Sequence, residues 1–140
     1  MADLTWPYPS RVRIQDDAHA VVVAQQGYRL AQQLGFSEVE RAALSTAIME
    51  VARNIVKYAG AGEIEVNYIR DDVATEIIVI AEDQGPGIAD LDLAMQDGYS
   101  TGRSLGLGLP GARRLMDEFE IISEPGKGTT IIMKKIRHDR

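Results

Sequence analysis

The sequence predicts a two-layer α/β (α+β) sandwich: about three helices on one face of a mixed, mostly antiparallel sheet, in a single domain spanning 1–140. Three observations carry that expectation. A segment beginning at Ser37 opens with a helix-capping signature and keeps a helical apolar period. Alternating, β-branched runs flank short turns at Asp71-Asp72 and at 124–128, as in hairpins. Two glycine clusters, Gly85/Gly87 and Gly102/Gly106/Gly108, bracket a segment lying between a strand-like run and a helix-like run. The expected order is β-α-α-β-β-loop-α-β-β, and helices that bury one stripe against one sheet face give two layers.

Each element has a local reason. Residues 1–9 carry Trp6, Pro7, Tyr8 and Pro9 and read as an extended arm suited to cover an edge or a partner. Arg11–Gln15 alternates around Val12 and Ile14, a short strand. Asp16 or Asp17 can cap a helix over Ala18–Leu34, with Val22, Leu30 and Leu34 at helical spacing and Gly35 as its stop. The capping box Ser37-Glu38-Val39-Glu40 starts a helix to about Tyr58, with Leu44, Ile48, Val51 and Ile55 as its apolar stripe. Glu50, Asn54 and Lys57 form a second cluster, displaced from that stripe by roughly 130° and aimed away from the core. Glu63–Arg70 and Val73–Ala81 read as a hairpin. Ile88–Arg103 reads as a loop. Pro110 is tolerated only in a first helical turn, so a helix runs from Leu107–Leu109 to about Glu118. Phe119–Ser123 and Thr129–Ile136 are the last strands, joined by a turn at Glu124-Pro125-Gly126-Lys127-Gly128.

Bulk properties exclude several classes. Net charge is -6, from 21 acidic and 15 basic residues, which argues against non-specific nucleic-acid binding. The chain has no cysteine, so it has no disulfide framework and no thiolate metal site. The N-terminal stretch has no apolar signal core, and no apolar run reaches the length of a membrane span. A soluble, cytoplasmic protein is expected, with no membrane partner. The basic end from Lys134 to Arg140 is expected to be frayed and solvated.

The chemistry concentrates in a few places. Glu50 and Asn54, at i and i+4, share a helix face. A carboxylate and an amide oxygen suit Mg²⁺, and the carboxylate can take a proton from an attacking hydroxyl; a solvated polar face is the plain alternative. Asp83, at a strand end before Gly85 and Gly87, can accept the exocyclic amine of adenine, with the glycines leaving room for a flat base. Alternatively it caps its own turn. Gly102, Gly106 and Gly108 precede a helix N-terminus, where free amides favour an anion, and Arg103 and Lys57 can add charge. No Gly-Lys-Ser/Thr follows, so this is not a Walker loop. Gly126 and Gly128 make a hairpin turn, and Thr129 can support Asp83 if their strands are adjacent. His19 and His138 lack any partner pattern, and no Ser-His-Asp or Cys-His arrangement is visible.

Taken in order, Glu50-x₃-Asn54, Asp83-x-Gly85-x-Gly87, Gly102…Gly106-x-Gly108 and Gly126-x-Gly128-Thr129 resemble the motifs of the Bergerat-fold (GHKL) ATPases, the superfamily of gyrase, Hsp90, histidine kinases and MutL. The resemblance covers nearly the whole chain. It implies ATP and Mg²⁺ as cofactors, with Asp83 on the adenine amine, Thr129 in support and Asn54 holding Mg²⁺. It implies Glu50 as catalytic base and the second glycine cluster as ATP lid and phosphate loop, hinged so that Ile88–Thr101 moves. Gyrase, Hsp90 and MutL types take a phosphate-contacting Lys from a following domain. Histidine kinases carry their phosphoacceptor His on an upstream hairpin, and His19 has no acidic residue after it. Within the superfamily, EVARNIVKYA, EDQGPGI and DGYSTGRSLGLGLPGARRLMDEF are similar to the RsbT type of stressosome switch serine/threonine kinase. That resemblance implies STAS-domain scaffold or antagonist proteins as substrates, and a PP2C-type phosphatase that the released kinase activates to control an alternative sigma factor or similar output. A nucleotide-gated binding module without phosphoryl transfer and a direct anti-sigma factor kinase are the alternatives.

Overall fold

The computed structural model describes residues 11–87, 95 and 108–138. Strand β1 (Arg11–Ile14) leads into helices α1 (Asp17–Gln33) and α2 (Glu38–Tyr58). A hairpin of β2 (Gly62–Arg70) and β3 (Ala74–Asp83) follows; then come helix α3 (Gly108–Leu115), β4 (Glu118–Ser123) and β5 (Thr129–His138). The five strands form one sheet in the order β1-β2-β3-β5-β4, and every pairing is antiparallel among the described residues. The chain's last strand therefore enters between β3 and β4.

Local signals start the helices as expected. Asp16 Oδ1 accepts the His19 amide at 2.9 Å, capping α1. Both halves of the second capping box form: Ser37 Oγ accepts the Glu40 amide at 3.1 Å, and Glu40 Oε1 accepts the Ser37 amide at 2.8 Å. In α2 the stripe Leu44, Ile48, Val51 and Ile55 is at most 2% exposed. In α1 the buried face is Ala20, Val23, Ala24, Gly27, Leu30 and Ala31, whereas Val22 is 46% exposed. Val22 therefore does not belong to the apolar stripe assigned to it; small residues around Gly27 let α1 approach Ile48 and Leu44 of α2 closely. Inward residues of the central strands, Ile64, Val66, Ile77, Val79, Ile131 and Met133, complete the core.

Several boundaries move because other parts of the chain claim the residues. β1 stops at Ile14, and the Gln15 amide turns to His19 Nδ1 at 3.0 Å. β3 extends two residues past Ala81, to Asp83, because Asp83 pairs with Gly62 on one side and Thr129 on the other. α3 ends at Leu115, short of Glu118, because β5 captures its end: Lys135 Nζ donates to the Leu115 carbonyl at 2.8 Å, and the Asp117 amide to the Lys134 carbonyl at 2.9 Å. The basic end is not frayed through His138. Lys134 pairs with Glu76 and Glu118, and Arg137 lies in register with Thr75.

Candidate active site

Strand register assembles the first part of the site. On the inner face, Gly62, Asp83, Thr129 and Ser123 form one row across four strands. Asp83 is 8% exposed and Thr129 5%. The condition on Thr129, that its strand neighbour that of Asp83, is met directly. Asp83 Oδ1 accepts the Gly85 amide at 2.9 Å, so Asp83 also ties its own turn.

The loop after β3 is locked to the β4–β5 turn. The Gly126 amide donates to the Pro86 carbonyl at 2.6 Å. Gly87 (φ 78°) and Gly128 (φ 84°) hold left-handed backbone, and a Cβ on either would overlap a carbonyl, of Glu124 and Asp83 respectively. A Cβ on Gly85 would lie 2.6 Å from the Ala59 Cβ at the end of α2. On their Cβ sides these glycines seat protein against protein, which differs from the expectation that they leave room for a base. Their absent side chains instead bring α2, β3 and the β4–β5 turn together at Asp83.

α2 supplies the second part. It is packed by α1, α3 and the sheet, so residues off its central stripe are covered too. Glu50 is accordingly only 8% exposed, which corrects the expectation that its cluster points away from the core. Its Oε2 is buried and has no hydrogen-bond partner among the described residues. An unpaired buried carboxylate oxygen costs free energy and is kept where something else supplies its partner. Asn54, one turn on, is half-buried. Lys57 is exposed, and its ammonium lies 5.1 Å over the centre of the Tyr58 ring, so it does not join Glu50. Gly108 opens α3 at φ 50°, while Gly102, Arg103, Gly106 and the proposed lid lie outside the described residues. No cluster of three or more His, Asp or Glu suited to a metal occurs among the described residues. The donor set here, one amide oxygen beside a carboxylate, fits a hard cation that keeps most of its ligands from phosphate and water.

Residues 39–139 match the histidine kinase-, DNA gyrase B- and HSP90-like ATPase family. The chain belongs to this family. It is 48% identical over 122 residues to the serine/threonine-protein kinase RsbT of Bacillus subtilis, covering 87% of this chain and 92% of that protein. That similarity places it among the serine/threonine-protein kinases of the family. It is also 33% identical over 130 residues to the anti-sigma F factor of Caldanaerobacter subterraneus subsp. tengcongensis, covering 90% of this chain and 87% of that one. Among solved structures, the mycobacterial sensor histidine kinase MprB superposes with a TM-score of 0.50 over 92% of this chain and 97% of its own, at 16% identity, a likeness of fold.

Sequence reasoning missed Ser123, whose hydroxyl lies 2.8 Å from that of Thr129. It also missed Ala59 and Gly62, which pack around Asp83 and its loop. The hairpin expected around the turn at 124–128 already held the signal for Ser123, since the residues flanking that turn, Ser123 and Thr129, pair. No helix among the described residues is long and apolar enough to cross a membrane.

Proposed function

We propose that residues 1–140 act as one ATP-dependent serine/threonine kinase domain of a bacterial partner switch. Its substrate is a STAS-domain scaffold or antagonist protein; once released, the kinase binds and activates a PP2C-type phosphatase. The observation that carries the reaction is Glu50: a buried carboxylate with an unpartnered oxygen, on the helix that closes against the Asp83 loop. Nucleotide binding alone does not require such a group. The similarity to RsbT supports the kinase reading and a protein as its substrate.

In this reading Asp83 and Thr129 hold the adenine, and Asn54, with water and phosphate oxygens, holds Mg²⁺. Bound there, Mg²⁺ supplies charge neutralisation on the phosphates. The amides before α3, with Arg103 and Lys57, contribute to the phosphate end. Glu50 accepts the proton of the partner's Ser or Thr hydroxyl. The freed oxygen forms a bond to the γ-phosphorus as the bond from that phosphorus to the bridging oxygen breaks, leaving ADP and a phosphoester.

Labelled ATP mixed with the protein, Mg²⁺ and a STAS-domain partner tests this. The expected result is acid-stable phosphoserine or phosphothreonine on the partner. Binding of both ATP and partner with no phosphate transferred would leave the nucleotide-gated binding module as the function instead.

A further inference from the structure

A hydroxyl that contacts a base can donate or accept, and its surroundings decide which. Thr129 sits beside Asp83 in the inner row, nine-tenths buried. Its Oγ1 lies 2.8 Å from Ser123 Oγ. Ser123 Oγ also lies 3.1 Å from the Gly128 carbonyl oxygen, which can only accept. A serine hydroxyl has one proton. If that proton goes to Gly128 O, the bond between the two hydroxyls needs the proton of Thr129. Thr129 Oγ1 is then left with lone pairs alone. The ionised carboxylate of Asp83 is likewise only an acceptor.

We propose that Ser123 is a positioning residue that fixes Thr129 as an acceptor, so that this end of the pocket presents two acceptors to the six-position of a purine. An amine there can satisfy both, and a carbonyl can satisfy neither. Ser123 thereby contributes to selecting adenine over six-keto purines without touching the base. Gly128, at φ 84° against the Asp83 carbonyl, holds the receiving carbonyl in place. This rests on the reading of the Asp83 site as the adenine end of an ATP pocket.

The test compares the Kd of ATP with that of inosine triphosphate, which has a carbonyl in place of the amine, for wild type, Ser123→Ala and Ser123→Thr. Wild type is expected to prefer ATP. Ser123→Ala frees the Thr129 proton to donate and should narrow that preference by about tenfold, the size of one hydrogen bond in such a site. Ser123→Thr keeps the hydroxyl and should restore the preference. A merely structural role would weaken both nucleotides alike. An unchanged ratio in Ser123→Ala, whether or not both affinities fall, overturns the proposal, as does a Ser123→Thr protein that behaves like Ser123→Ala. Failure of wild type to bind ATP at all would overturn the ATP-pocket reading and this proposal together.

Discussion

Glu50 shows how little a helical period says about a single residue. Its angle relative to Leu44, Ile48, Val51 and Ile55 was readable, but its burial depends on how α1, α3 and the sheet surround α2, and α3 and most of the sheet are distant in sequence. Asp83 and Thr129 were legible as individuals, and their adjacency was a condition only the β3–β5 register could meet. Ser123 was readable only as a residue flanking the β4–β5 turn, and its pairing with Thr129 gains meaning once the β3–β5 register sets Thr129 beside Asp83. At Asn54, the amide role implies that Asn54→Ala loses the Mg²⁺ dependence of nucleotide binding, read by titrating ATP with and without Mg²⁺. At Gly128, a Cβ would need left-handed backbone and would overlap the Asp83 carbonyl. Gly128→Ala should cost about 1–3 kcal/mol, measured as a lowered denaturation midpoint. At the β2–β3 turn, the Asp71 carboxylate accepts the amides of Val73 and Ala74 at 2.8 and 2.9 Å, and these bonds hold its pKa below the ordinary value. A depressed folded pKa gives stability that is present above the unfolded pKa and lost as pH falls through the folded one. The stability gap between wild type and Asp71→Ala should therefore close as the solution is acidified below the usual carboxylate range, followed by chemical denaturation at stepped pH.

Among the elements, those with local start signals were legible and those ended by distant partners were not. α2 starts where its capping box says, since Ser37 and Glu40 satisfy each other's amides without outside help. Ser37→Ala should cost about 1 kcal/mol in unfolding free energy, checked by denaturant titration. α3 stops early because Lys135 and the backbone of β5 bind the residues after it. The Asp117 carboxylate, accepting the Ile136 amide at 2.6 Å, tightens that end further. β5 runs on through a basic stretch that composition reads as solvent-exposed, because β3 offers it a full-length partner and Glu76 and Glu118 offer it charge. The β3 loop and the β4–β5 turn look like two separate turns in the chain. Their interlock through Pro86 and Gly126 joins them into one surface.

For the whole molecule, the two hairpins were visible as alternating runs around short turns. The insertion of β5 between β3 and β4 was not, since that pairing joins residues far apart in the chain. Yet this pairing sets Thr129 beside Asp83, while the packing of α2 onto the loop through Ala59 and Gly85 brings the Glu50 helix to the same end. The site thus belongs to no single element, and the proposed reaction turns on Glu50 as the base for transfer to a protein hydroxyl. The direct measurement is single-turnover transfer of labelled phosphate from ATP to a STAS-domain partner by wild type and Glu50→Gln, with ATP affinity measured alongside. Glu50→Gln should bind ATP about as well as wild type and transfer phosphate about 10²- to 10⁴-fold more slowly, the usual contribution of a general base. Transfer by Glu50→Gln at the wild-type rate would contradict the assignment.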